Sequence, residues 1–161
     1  MIKKYGKIFL FSLLSLLVIS FIFGNSVKPS AKTNSESKQI VKVLTPITKA
    51  ETDAAIDEIN KIVRKSAHAI EFATLGVFLA LLAESMREIT KRRHICFPLF
   101  IALLVGVTDE FIQKYFGRTS KVSDVFIDFS GAIIGIFIVF IIFEMITISK
   151  KKRVQARKEE K

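Results

Sequence analysis

The stretch from Gly106 to Gly131 reads GVTDEFIQKYFGRTSKVSDVFIDFSG and joins two strongly apolar segments. It carries four acidic residues, a glutamine and an arginine within 26 positions. Carboxylates beside apolar segments are costly in a membrane unless they are paired, hydrated or used in function. The stretch therefore predicts a membrane fold and indicates where a functional site should lie.

The composition of the whole chain also indicates a membrane protein. Half of the 161 residues are hydrophobic, the mean hydropathy is +0.41, and there are 15 Phe but no Trp. This apolar excess is more than one small soluble core needs. We predict a single all-α membrane domain over residues 1–148, followed by a basic cytoplasmic tail over residues 149–161.

Four segments are apolar enough to cross a bilayer, which requires about 20 residues. The predicted spans are residues 6–24, 67–83, 95–114 and 125–148. A cleaved secretory signal is the alternative for the first span, because lysines precede it and Ala31 lies at a potential cleavage position. The length of the apolar run and the nearby Pro29 favour an uncleaved span.

The segment between the first two spans predicts further helices at the membrane surface. Its apolar residues in 37–44 favour a short interfacial helix, which Pro46 would end. Thr52 is a predicted N-cap for a second helix that runs straight into the second span. The fold class is therefore four transmembrane helices with interfacial or extracytoplasmic helices between the first and second.

Basic residues beside the spans predict the orientation. They lie before the first span, between the second and third spans, and after the fourth span. Because basic residues favour the cytoplasmic side, both termini are predicted to be cytoplasmic and the 114–123 connection external. The net charge of +10 then reflects attraction to the bilayer's anionic headgroups. Nucleic acid is not a predicted partner, because the tail lacks aromatic residues for base stacking.

The polar residues of the second, third and fourth spans fall into stripes at one predicted depth. Helical spacing of three and four aligns each stripe along one face. The stripes are Arg64, His68 and Glu71, then Asp109 and Gln113, then Asp124 and Asp128. The last stripe continues to Gly131 and Gly135, a G-x-x-x-G pattern that allows close helix approach and predicts an inward face.

These residues resemble the signature of the VanZ-like family. The resemblance is carried by RKSAHAIEF at 64–72, TDEFIQ at 108–113, Gly-Arg at 117–118 and DVFIDFSGA at 124–132. FGNS at 23–26 resembles the family's short serine motif after the first span. The resemblance implies a small multi-pass protein of the bacterial cell membrane, in a family named for a member linked to low-level teicoplanin resistance. It implies no settled biochemical activity.

The leading hypothesis is an outward-facing site that binds or acts on a lipid headgroup or a lipid-linked wall precursor. Arg64, Lys65 and Arg118 would bind phosphate. The neighbouring polar groups would orient them, and His68 would move a proton. The binding candidates are Ser26, Arg64, Lys65, Gln113, Arg118, Asp124 and Asp128, and the catalytic candidates are His68, Glu71, Asp109 and Glu110. A nucleophile would have to be Ser26 or a water activated by His68 and Glu71.

Three alternatives stay open. The charged cluster could only lock the helices of a partner-binding scaffold. The protein could also be a small proton-coupled transporter, which would have to form a homo-oligomer. One histidine with several carboxylates could bind Mg²⁺, Mn²⁺ or Ca²⁺, but the spacing matches no dedicated metal loop. Neither a metal site nor another cofactor is therefore predicted.

Overall fold

The computed structural model describes residues 2–28, 52–118 and 120–159. These residues form four α-helices and no β-strand: α1 (Ile2–Ser26), α2 (Asp53–Thr90), α3 (Cys96–Tyr115) and α4 (Val122–Glu159). All four are long and apolar enough to cross a membrane. The prediction of an all-α protein with four spans is therefore confirmed. The interfacial helix predicted within 37–44 lies outside the described residues.

Helix α2 begins at the predicted cap. The Thr52 side chain accepts a hydrogen bond from the Ala55 N–H at 3.3 Å, which satisfies one free donor of the first turn. The helix then runs unbroken into the second span and ends at Thr90, where Lys91 has a φ of 60°. Its 38 residues extend about 57 Å, roughly twice the hydrocarbon thickness of a bilayer. Part of α2 therefore lies outside the apolar layer.

Helices α2 and α4 pack with their backbones in close contact. A Cβ atom built on Gly131 would lie 2.2 Å from the carbonyl oxygen of Ala69, and one on Gly135 would lie 2.1 Å from that of Ala73. Neither position has room for a side chain. The inward orientation predicted for the G-x-x-x-G face is therefore confirmed, and small residues on α2 make the approach possible.

The apolar core lies between the four helices. Ile22 of α1, Phe72 and Leu75 of α2, and Ala102 of α3 are completely buried there. Helices α2 and α3 each contact all the other helices, whereas the described parts of α1 and α4 do not contact each other. The central α2 therefore fixes the positions of both outer helices.

Ion pairs join the helices at one end of the bundle, which we call the basic end. Lys7 Nζ lies 2.7 Å from Glu88 Oε1, joining α1 to α2, and Arg93 pairs with Glu144 of α4. Helix α4 continues from there to Glu159 with an exposed surface, so most of the predicted tail is helical. The cytoplasmic orientation of this end stays a prediction.

Candidate functional site

A polar cavity of about 320 Å³ opens at the other end of the bundle, away from the basic end. Helices α2, α3 and α4 and the turn between α3 and α4 line it. Five cationic side chains and three carboxyl side chains line it. The cations are Lys61, Arg64, Lys65, Arg118 and Lys121, and the carboxylates are Glu110, Asp124 and Asp128.

Helix α2 contributes the first polar stripe. Arg64 and His68 are one turn apart and both line the cavity. Glu71 lies one turn further along, where its Oε1 accepts a hydrogen bond from Asn25 Nδ2 at 2.9 Å. Its Oε2 is 3.8 Å from His68 Nδ1, which is longer than a hydrogen bond. Glu71 therefore lies between Asn25, at the end of α1, and His68 of the same stripe.

Asp109 is the most deeply buried acid of the site, with no exposed surface. Its Oδ1 accepts a hydrogen bond from Ser26 Oγ at 2.5 Å, and its Oδ2 accepts one from Gln113 Nε2 at 2.7 Å. Ser26 is also fully buried. The serine therefore positions Asp109 and is not open to a ligand entering the cavity.

The turn between α3 and α4 carries Arg118 to the cavity wall. Gly117 has a φ of 73°, and the Arg118 N–H bonds to the Gln113 carbonyl at 3.0 Å. The Arg118 side chain is buried, Nη1 donates to the Asn25 carbonyl at 3.3 Å, and Nε has no hydrogen-bond partner in the described part of the chain. Burial and then the Arg64 charge lower the pKa of the Arg118 guanidinium, which still stays protonated at neutral pH. A buried, charged donor without an acceptor is ready to bind an anion.

The remaining acids lie at the start of α4 and the end of α3. Asp124 Oδ1 accepts a hydrogen bond from Lys65 Nζ at 2.7 Å. Glu110 Oε2 accepts one from the Lys121 backbone N–H at 3.1 Å, just before α4 begins. Asp128 also lines the cavity, is only 3% exposed, and accepts no hydrogen bond from the described part of the chain.

The VanZ/LLP1 family model matches residues 10–143, which include every residue that lines the cavity. The chain belongs to the VanZ/LLP1 family. No curated protein and no solved structure gives a significant match. The family resemblance of the sequence is thereby confirmed, and the chemistry of the site has to be argued from its own geometry.

Most of the predicted site residues line the polar cavity of this VanZ/LLP1 protein. Eight of the eleven line it, namely Arg64, Lys65, His68, Glu110, Gln113, Arg118, Asp124 and Asp128. The other three are Ser26, Glu71 and Asp109. Asp109 accepts hydrogen bonds from Ser26 and from the lining residue Gln113, and Glu71 lies 3.8 Å from the lining residue His68. Their individual catalytic or binding roles stay predictions.

The site also contains groups that the sequence reasoning missed. The end of α1 contributes the predicted Ser26 and also Asn25, which was not predicted as a site residue. Asn25 could have been suspected because it directly precedes the serine of the FGNS motif. Lys61 and Lys121 extend the predicted stripes backwards by three residues from Arg64 and Asp124. Continuing the helical spacing would have found both.

The structure also brings together a group that no spacing in the sequence indicated. His68, Asp109 and Asp128 come from three different helices, and one potential ligand atom of each lies within 4.8 Å of the others. Among the described residues they are the group of His, Cys, Asp or Glu side chains close enough to share a metal ion. The sequence does not predict such a group, because only the packing of the helices brings its three members together.

We expect the Lys65→Gln variant to remain folded. The Lys65 and Asp124 side chains are 46% and 24% exposed, and pairs of this kind contribute about 1 kcal/mol or less to the free energy of unfolding. The melting temperature in detergent should therefore change by no more than about 4 °C. A loss of folded protein would instead make this pair a structural lock between α2 and α4.

Proposed function

We propose that this VanZ/LLP1 protein binds the phosphorylated headgroup of a membrane lipid in the polar cavity. The observation that carries the proposal is the state of Arg118. Arg118 is only 8% exposed, lines the cavity, and keeps a buried Nε donor without a hydrogen-bond partner among the described residues. A phosphate oxygen would satisfy this donor with a charge-assisted hydrogen bond.

The charge of the cavity supports an anionic ligand. Lys65 is already paired with Asp124, and Glu110 accepts the Lys121 backbone N–H, so these carboxylates are partly satisfied by protein groups. Lys61 and Arg118 add two further cationic side chains to the cavity lining. Arginine can contact two phosphate oxygens at once, and lysine adds a point charge. A phosphate or diphosphate fits this combination of donors.

An apolar groove next to the cavity favours a lipid over a free anion. The groove has a volume of about 360 Å³ and lies between α3 and α4. Its wall includes Val107, Phe111 and Phe126, and it shares Glu110 and Lys121 with the polar cavity. A hydrocarbon chain could occupy the groove while its phosphate group occupies the cavity. The ligand class is therefore a lipid-linked wall precursor or a phospholipid.

We also propose an orientation of the cavity in the membrane and a consequence of lipid binding. The basic end would lie in the cytoplasm with both termini, so that the cavity opens at the outer leaflet, in agreement with the distribution of basic residues. Wall precursors carry their phosphate groups at this depth, and glycopeptides act on such precursors. Binding them would let the protein contribute to teicoplanin tolerance. Because Ser26 is fully buried behind Asp109, we propose binding and no serine-based reaction.

The test is lipid binding by the purified protein in nanodiscs. We expect wild type to bind a polyprenyl diphosphate or phosphatidylglycerol more tightly than inorganic diphosphate, because only the lipids fill the groove. Arg118→Gln should weaken lipid binding by about 10- to 100-fold, which corresponds to one lost charged hydrogen bond. Arg153→Gln is the matched control, because this arginine is exposed on α4 beyond the basic end.

The same experiment separates binding from a purely structural role. Equal lipid affinity of wild type and Arg118→Gln would contradict the proposal and favour a scaffold. If Arg118→Gln does not fold, Arg118→Lys keeps the positive charge and removes the planar donor group. An intermediate affinity is expected for that variant. Comparing the affinities for the two lipids then shows whether the bound phosphate belongs to a lipid-linked wall precursor or to a phospholipid.

A further inference from the structure

We propose that His68, Asp109 and Asp128 bind a divalent metal ion at the inner end of the polar cavity. The metal site stands on its own geometry, and only its role beside a phosphate group rests on the proposed function. The three side chains come from α2, α3 and α4, and their ligand atoms lie within 4.8 Å of one another. Two ligands at 2.0–2.2 Å from one ion are at most about 4.4 Å apart. Small side-chain movements would therefore complete the site.

The independent observation is the buried carboxyl group of Asp128. It is only 3% exposed, lines the cavity, and has no hydrogen bond or ion pair with another described residue. Such a carboxylate is costly at membrane depth, and the second carboxylate of Asp109 nearby adds repulsion. A cation shared by the two aspartates would remove both costs.

The surrounding hydrogen bonds prepare Asp109 to be a ligand. Ser26 and Gln113 each donate to one of its oxygens, which fixes the carboxylate. Each oxygen keeps a further lone pair for a cation. Supporting contacts of this kind orient ligands at many protein metal sites.

A carboxylate also lies beside His68. Its Nδ1 and the Glu71 Oε2 are 3.8 Å apart, which is longer than a hydrogen bond, and neither buried atom has a hydrogen-bond partner among the described residues. Asn25 holds Glu71 in this position through the other carboxylate oxygen. Metal-binding histidines direct one ring nitrogen to a carboxylate and the other to the ion. This arrangement leaves Nε2 of His68 as the nitrogen for the metal.

The donor set indicates the kind of ion. One imidazole nitrogen and two carboxylates suit Mn²⁺ or Zn²⁺ better than Ca²⁺, which takes six to eight oxygen ligands. Three protein ligands leave coordination positions for water or for a phosphate oxygen. The ion and Arg118 would then contact the same phosphate group from two sides of the cavity.

The test is metal binding by the full-length protein in detergent after removal of metal with EDTA. We expect saturable binding of one Mn²⁺ per chain, measured from the loss of the free Mn²⁺ signal in electron paramagnetic resonance, with Zn²⁺ competing. Asp128→Asn and His68→Gln should each weaken binding by about tenfold or more. Glu144→Gln, which changes an acid at the basic end, should leave the affinity unchanged.

Absence of saturable Mn²⁺ and Zn²⁺ binding would overturn the metal site, as would equal affinity of wild type and Asp128→Asn. If Asp128→Asn does not fold, His68→Gln carries the comparison. Polyprenyl diphosphate binding is then measured in EDTA and in Mn²⁺. If Mn²⁺ binds and the lipid does not, the proposed function fails and the metal site stands. If the lipid binds and neither metal ion does, the metal site fails and the proposed function stands.

Discussion

The Gly135→Ala variant is expected to melt about 10 °C below wild type in detergent. The new Cβ atom would lie 2.1 Å from the Ala73 carbonyl oxygen and 3.1 Å from the Val77 backbone nitrogen. These are backbone atoms of α2, so no side-chain rotation can relieve the clash. The two helices would have to separate along the contact that holds the whole bundle, at a cost of about 3 kcal/mol or more.

The facing helix offers an independent test of the same contact. A Cβ atom on Gly76 would lie 2.2 Å from the Ala132 carbonyl oxygen, so Gly76→Ala should destabilise the protein comparably. Gly24→Ala is the control, because no other described part of the chain comes within 4 Å of the added methyl and alanine favours a helix more than glycine does. Thermal unfolding followed by size-exclusion chromatography measures all three. Equal melting temperatures of Gly135→Ala and Gly24→Ala would contradict the predicted packing of α2 on α4.

Asp109→Asn is expected to abolish the teicoplanin tolerance that we propose for wild type in a Gram-positive host. Asparagine has the size of aspartate, and its amide can still bond with Ser26 and Gln113, so the fold should be retained. The negative charge that would help to hold the proposed metal ion, and that acts on the nearby Arg118, is lost. The measurement is the minimal inhibitory concentration of teicoplanin, with membrane levels matched by immunoblot.

Two further variants show whether a loss of tolerance comes from the site itself or from a loss of folded protein. Asp109→Ala should also reduce the amount of folded protein, because each buried group left without a partner costs about 1–3 kcal/mol. Glu144→Gln, at the basic end, should leave tolerance unchanged. Tolerance of Asp109→Asn cells equal to wild type would make the cluster structural or irrelevant to tolerance. If wild type itself gives no tolerance, that part of the proposal is wrong, and lipid binding must be judged by the nanodisc experiment.

Helical spacing in the sequence predicted some of the contacts in the candidate site but not others. Asp109 and Gln113, four residues apart, were predicted to share a face, and they are hydrogen-bonded at 2.7 Å. The spacing of Asp124 and Asp128 likewise predicted that both would reach the site, and both line the cavity. The sequence did not indicate that Asn25 would accept from Arg118 and donate to Glu71. Those partners are 93 and 46 residues away, and only the packing of α1 on the bundle brings them together.

Four apolar helices, with polar residues near one end, could be predicted from the amino-acid sequence alone. These features are local, because hydropathy decides which segments enter a bilayer and the 3.6-residue period decides which side chains share a face. Which faces meet depends on how the helices pack. The close contact of α2 and α4 brings His68, Asp109 and Asp128 of three helices within 4.8 Å and leaves the Arg118 guanidinium buried with a free donor. Distances between helices depend on side-chain packing across them, which no periodicity within one helix encodes.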